Sequence, residues 1–422
     1  MKLGLGFQSN LIDEENKYYK KDDLYLINTY VLIKIYKNDY ALLSTELKVL
    51  IEKISIQAER ISYVTTNTLL NAELMADTLG VSALAQEEID ILKYIITETY
   101  ILTSALPKVD WLFENFPLPD FSKNKLYLRY GNVELRVIES FIRNRIELTD
   151  IQDIILNQQD AVYINKDKVE DKCRWLTAVD TKFNLKALMH TAGFYFPDFA
   201  DNATEIGMSD LNLWISKYLS GLTSASLFSY PGCYPFFFNV WKHLKDQPSF
   251  NGELLNFPSP DKFFEMLKGK TVLIVTPFKS LFDRMVSEHR LKNLYHDFVI
   301  DDIDIITIEA PVSTYPNKPD INWSLSYKKL INQVDEAFQD KKIDIFMASC
   351  GCYGLPLTTD VFDKYLCCSV YFGNYLNTLF GIRQNASRDF MKDKIDESQR
   401  LDSDLASRFV GMSQVDGGRY AI

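Results

Sequence analysis

Four turns in this 422-residue sequence combine residue types able to hold a phosphate or act on a hydroxyl. The first is Leu128-Arg129-Tyr130-Gly131-Asn132-Val133-Glu134. Gly131 lets the backbone approach a ligand, and Asn132 reads as the N-cap of a following helix. Glu134 then falls in the first helical turn, where the helix dipole favours a carboxylate, and Arg129 adds a cation where a diphosphate could lie. The second turn is Cys350-Gly351-Cys352-Tyr353-Gly354-Leu355-Pro356. Gly351, Tyr353 and Gly354, with a proline near the first helical position, leave main-chain amides available as an anion cradle. The Lys-Ser/Thr end of a Walker loop is missing, and the spacing is not that of a dinucleotide fingerprint. The third is Thr276-Pro277-Phe278-Lys279-Ser280, where Lys279 and Ser280 could face a phosphate; the fourth is Phe372-Gly373-Asn374, with Gly373 at a strand exit. Each motif taken singly also fits an ordinary turn or a solvated helix start.

Two further carboxylates, Asp210 and Glu309, are candidates for a sugar-hydroxyl partner or a base. His190, His243, His289 and His296 lie in dissimilar contexts and read as structural or surface residues. The six cysteines include Cys350 and Cys352 on alternate positions and an adjacent pair, Cys367 and Cys368. Neither pair has zinc spacing or a nearby histidine, so no metal ligands are assigned and reduced, buried thiols are expected. No nucleophile elbow, zincin helix or kinase signature occurs.

The elements that must position these turns fall into three zones. Residues 1–115 carry a strand-like segment, Leu24–Tyr36, and two helical patterns. In the first, Leu43, Leu47, Leu50, Ile54, Ile61 and Val64 recur at three- and four-residue spacing; the second runs from about Gln86 to Leu106. These helices form either a cap on the main domain or a surface for self-association or an assembly partner. From 116 to 385 the rhythm is different. Strands are predicted over Lys125–Tyr130, Lys270–Pro277, Asp304–Ile308, Ile343–Ser349 and Cys368–Phe372, with helices over Val133–Arg145, Leu281–Leu294, Tyr327–Asp340 and Pro356–Tyr365. Residues 150–260 read as mixed and mostly helical. Short, nearly continuous apolar strands alternating with helices imply an α/β fold of Rossmann-like, doubly wound type with a mainly parallel sheet, preceded by an N-terminal helical region. Ligands of such sheets sit outside the carboxyl ends of the strands, where all four turns lie. Residues 386–422 read as a charged, peripheral tail.

Composition narrows the partners. The apolar fraction of 47% supports a substantial core, and the net charge of −11 with interleaved signs excludes a nucleic-acid binder. A nucleotide diphosphate remains compatible, because local amides and one or two cations suffice. The 24 Tyr and 27 Phe fill cores or line a cleft for rings. With no signal peptide and no apolar stretch long enough to span a bilayer, the expected location is cytoplasmic, if peripheral then at the inner face of the membrane.

The segment Arg129-Tyr130-Gly131-Asn132-Val133-Glu134 resembles the R-[FY]-G-D-G-E stretch of GT-D-type glycosyltransferases. Ser349-Cys350-Gly351-Cys352-Tyr353-Gly354-Leu355-Pro356-Leu357, followed by Tyr371-Phe372-Gly373-Asn374 and Leu379-Phe380-Gly381-Ile382, is similar to bacterial polysaccharide-biosynthesis proteins with a GT-D-like domain. Ala192–Pro197, the Asp210 and Trp214 pair and Gly269–Phe278 add to a likeness spanning about 125–385; residues 1–115 have no counterpart in it. The resemblance implies transfer of a sugar from a nucleotide-diphosphate donor to a surface polysaccharide, the acceptor being a glycan or lipid-linked. It places Gly131 and Glu134 on the nucleotide-sugar loop. Glu134, or in second place Asp210, would orient or deprotonate the acceptor hydroxyl. Arg129 or Lys279 would stabilise the leaving diphosphate, with Asn132, Gly351, Tyr353, Gly354 and Gly373 around the donor. The family's aspartate is Asn132 here. Two carboxylates can share Mg or Mn beside a diphosphate, and with one lost no metal or other cofactor is firmly implied. The rival expectation is a non-catalytic scaffold or nucleotide-sugar-binding component of an assembly system; a different Rossmann-type transferase using S-adenosylmethionine ranks third.

Overall fold

The computed structural model describes residues 117–158, 181–228, 240, 243–244, 247–384 and 393–412. All of them belong to one compact unit of the chain, Phe116–Ile164 with Ala178–Ile422. The helices expected within 1–115 lie outside the described residues.

Seven strands form one sheet: β1 (Leu126–Arg129), β2 (Ser226–Phe228), β3 (Leu254–Leu255), β4 (Lys270–Thr276), β5 (Ile303–Glu309), β6 (Ile345–Ala348) and β7 (Cys368–Tyr371). Their order is β3-β2-β1-β7-β6-β4-β5, and every pairing is parallel. The α/β, doubly wound reading of the sequence therefore stands. The central strands are buried on both faces, as the unbroken apolar runs of β4, β6 and β7 require. β2 and β3 are additions; at three and two residues they are too short to leave a period in the sequence.

Side chains of alternate strand residues build two cores. On one face Tyr127, Val272, Ile274, Ile345, Met347 and Val370 join helices α5 (Pro260–Leu267), α6 (Lys279–Ser287) and α9 (Asn374–Leu379). On the other face lie α4 (Ala203–Ser224) and α8 (Gly354–Tyr365). They pack so closely that a methyl group at Gly221 would fall 2.5 Å from Thr359 Oγ1, 2.8 Å from Leu355 and 3.0 Å from Leu128. Three helices complete this side. α1 (Asn132–Ile142) packs on α3 (Thr181–Ala187), and α2 (Leu148–Leu156) packs on α3 and α4.

β7 thus leaves the sheet toward the α5, α6 and α9 side through α9, while its neighbours β1 and β6 leave toward the other side through α1 and α8. This divergence opens a crevice at the carboxyl ends of β1, β7 and β6, the position at which open parallel sheets take ligands.

The C-terminal residues depart from expectation. Within 393–412, Ile395, Leu401, Leu405 and Met412 are buried in the α5, α6 and α9 core. β9 (Leu401–Asp402) pairs in parallel with β8 (Ile382–Arg383). The charged residues between these apolar positions hide them from a reading by composition. Among the described residues no helix is long and apolar enough to cross a membrane.

Candidate functional site

The first turn is built around Glu134. The N-cap position of α1 is Gly131, in extended conformation, so Asn132 is the first helical residue and not the cap proposed from the sequence. The Asn132 side-chain oxygen is buried and finds no hydrogen-bond partner among the described residues. Glu134, three residues beyond Gly131, folds back over it: a Cβ at 131 would lie 1.9 Å from Glu134 Oε2. Gly131 leaves room for this placement of the carboxylate, while its φ of −101° suits any residue. The Gly131 amide donates to Tyr218 Oη of α4 at 3.1 Å. Glu134 is 8% exposed, at a helix start whose dipole favours its charge.

Arg129 ends β1 and crosses to the exit of β7. Gly373 has φ +57°, and a Cβ there would stand 2.4 Å from Arg129 Nη1. Tyr371, the last residue of β7, is near enough to both charges to feel them: burial pushes its phenol well above the ordinary range, Glu134 adds to the rise and Arg129 opposes it. Its hydroxyl donates to the Gly351 carbonyl at 3.2 Å, and its ring fills the space beside Gly354, 2.2 Å from where a Cβ would be. One buried tyrosine therefore ties the β1 turn, the β7 exit and the β6 turn into one cluster. No sequence signal singled it out, because an aromatic residue in a strand is ordinary.

The second turn is positioned by aromatic side chains. Trp214 Nε1 on α4 donates to the Cys352 carbonyl at 2.9 Å. Trp323 Nε1, at the start of α7 (Trp323–Asp340), donates to Cys352 Sγ at 3.2 Å. Tyr353 stacks on Trp323 with centroids 5.5 Å apart and planes at 12°. Burial raises the Cys352 thiol well above its normal range, so it stays a neutral acceptor. Gly351 has φ +55°, and a side chain there would strike the Ala192 carbonyl at 2.3 Å. Ala192 ends a π turn over Leu188–Ala192 that also packs against α1. Of the residues assigned to the cradle, Gly351 is exposed, whereas Tyr353 and Gly354 are buried beneath the turn. They shape the loop, and Tyr371 already occupies the approach to Gly354.

Two other assignments come apart. Lys279 opens α6 after β4, three strands from β1 and roughly 14 Å across the sheet at the usual strand spacing. Its ammonium pairs with Asp283 Oδ2 at 2.5 Å, and the other oxygen of that carboxylate accepts from Thr307 on β5. Lys279 therefore belongs to the β5 edge and not to the Arg129 cluster. Asp210 on α4 accepts from the Ser324 amide at 3.3 Å and holds the first turn of α7 together with the Asn322 cap. Burial raises its pKa, opposed by hydrogen bonds from Ser324 and Trp323. Asp210 and Trp214, four apart on one helix, thus anchor α7 and the Cys352 turn.

At the β7 exit, Asn377 accepts from Thr276 Oγ1 at 3.2 Å and donates to Asn374 Oδ1 at 3.0 Å, linking the end of β4 to α9 beside Gly373. On the π turn, His190 packs its ring on Tyr315 at 4.9 Å, and burial holds its pKa down to about 4. Among the described residues no three His, Cys, Asp or Glu side chains lie together as a metal site. Glu134 with Asn132 supplies a single carboxylate, too few ligands to hold a divalent ion without help from substrate phosphates. No family model, curated protein or solved structure matches this chain.

Proposed function

We propose that this protein is a glycosyltransferase of GT-D-like type that takes a nucleoside-diphosphate sugar at the crevice formed by β1, β7 and β6. The observation that carries the reading is the convergence of Arg129, Glu134 and the Gly351 turn, three features from two distant sequence motifs, around Tyr371. A cation at the mouth of the crevice suits a diphosphate, whose negative charge grows as the bond to the sugar breaks. In the reaction the bond between the sugar C1 and the diphosphate oxygen breaks, and the acceptor oxygen bonds to C1. The leaving diphosphate takes the bonding pair, stabilised by the Arg129 guanidinium. Glu134 receives the proton of the acceptor hydroxyl.

The test is a thermal-shift screen of the full chain against nucleotide sugars, with Arg129→Ala beside it. A donor at a hundredfold excess over its Kd adds about 2.7 kcal/mol to stability, well above detection. A shift present in the native chain and lost in Arg129→Ala supports the reading. Asn132 in place of the family's aspartate favours a second reading, a scaffold without catalysis; absence of any donor-dependent shift would decide for it.

A further inference from the structure

On the same rim, at the edge of the sheet, the end of β5 and the first half of α7 border an open pocket of about 610 Å³, within the size range of small-molecule sites. Its wall includes Glu309, Asp320, Lys318, Lys329, Gln333, Arg408 and Phe409. Every cation in this wall is engaged by a carboxylate: Arg408 with Glu309, Lys329 with Asp320, and Lys318 with Asp198 at 2.5 Å. An anionic ligand would meet a carboxylate beside each cation it approached. A cationic ligand would meet the converse problem. Hydroxyl groups, which donate and accept at once, can bridge the existing pairs without separating them. Phe409 adds an apolar portion to the wall, its ring packed against the core and under the Arg408 guanidinium at 5.1 Å.

We propose that this pocket is a binding subsite for a neutral, polyhydroxylated ligand, that is, an uncharged stretch of oligosaccharide. Its role as part of the acceptor site rests on the glycosyl-transfer reading above; the binding itself does not. β5 lies three strands from β7 and four from β1, roughly 14–19 Å at the usual spacing. The pocket therefore holds a distal part of a growing chain and not the hydroxyl that reacts. Glu309, a candidate in the sequence for a sugar-hydroxyl partner or a base, lies in this wall.

Saturation-transfer NMR on the full chain, with neutral hexasaccharides of glucose, galactose and N-acetylglucosamine and with uronic-acid hexasaccharides, tests the proposal. Gln333 and Lys329 project from the exposed side of α7, so Gln333→Trp obstructs the pocket and Lys329→Ala removes one bridging pair without disturbing the core. The expected result is binding of at least one neutral hexasaccharide, weakened tenfold or more by Gln333→Trp and severalfold by Lys329→Ala, and unchanged by Arg129→Ala. Binding by uronic-acid chains alone, binding indifferent to both pocket variants, or no binding by any hexasaccharide would each overturn it. Because nucleotide-sugar binding is read separately through Arg129→Ala, loss of the donor reading leaves this result interpretable, and the reverse holds as well.

Discussion

Arg129 Nη1 stands where a side chain at Gly373 would have to be, 2.4 Å from the position of its Cβ. The last residue of β1 and the second beyond the end of β7 are thus fitted to one another, and the glycine makes the guanidinium's place possible. Gly373→Ala should be destabilising twice over. Its φ of +57° and ψ of −145° are strained for any residue with a Cβ, on the order of 1–3 kcal/mol, and the methyl displaces Arg129. Chemical denaturation should register the first effect, and a donor Kd raised about tenfold or more the second. A stable variant with native donor affinity would show that Arg129 does not act from this position.

Glu134→Gln keeps the size and buried position of the side chain but removes its basicity. Turnover should fall by roughly 10²–10⁴, the usual contribution of a general base, while donor-induced stabilisation persists. Steady-state assays alongside thermal shift separate the two, and native turnover in this variant would take Glu134 out of the mechanism.

Asp210 and Lys279 should behave as supports. Asp210→Asn retains an acceptor for the Ser324 amide and should leave turnover near native, whereas Asp210→Ala should cost about 0.5–1.5 kcal/mol through loss of that hydrogen bond. Lys279→Ala removes a half-exposed pair with Asp283 and should change stability by less than about 1 kcal/mol, with donor affinity unchanged. Urea titration and donor binding measure both; a tenfold loss of donor affinity in Lys279→Ala would return that lysine to the site.

Trp214→Phe deletes the donor to the Cys352 carbonyl and leaves that oxygen buried. A loss of about 1–3 kcal/mol is expected, with a looser Gly351 turn visible as faster amide exchange at 351–354. Unaltered exchange there would mean that the stack of Tyr353 on Trp323 holds the turn by itself.

His190 gives the fold a defined acid sensitivity. Its folded pKa, about 4, lies below the ordinary 6.5, so between those values the unfolded chain binds more protons than the native one. The stability conferred by the neutral ring is complete above pH 6.5 and is lost as pH falls from 6.5 toward 4. His190→Gln should flatten this part of the stability profile; an unchanged slope would place the sensitivity elsewhere.

The parts visible in the sequence are those written into local pattern. The β-branched run of β4, the Gly131 turn and the Gly351–Gly354 turn each announce a strand, an exit and a helix start within about ten residues. What the sequence did not disclose depends on long-range neighbours. That Tyr371 joins the two turns follows from β7 lying between β1 and β6, an order no local spacing encodes. Lys279 looked equivalent to Arg129 because both sit beside strand ends, and only the strand order places them three strands apart. The tail looked peripheral because Ile395, Leu401, Leu405 and Met412 are scattered among charges with neither a helical nor a strand period.

The pairing of β1 with β7 brings Leu128 level with Tyr371, residues from opposite ends of the described chain. Such a pairing carries a heavy loop-closure penalty and forms slowly compared with local helices. A nascent or truncated chain with β1 and α1 but not β7 would possess Arg129 and Glu134 and still have no cleft between them. On the proposed reading, donor affinity would report on the closing of the most distant strand pair of this sheet, and would appear during refolding only after the helices have already formed.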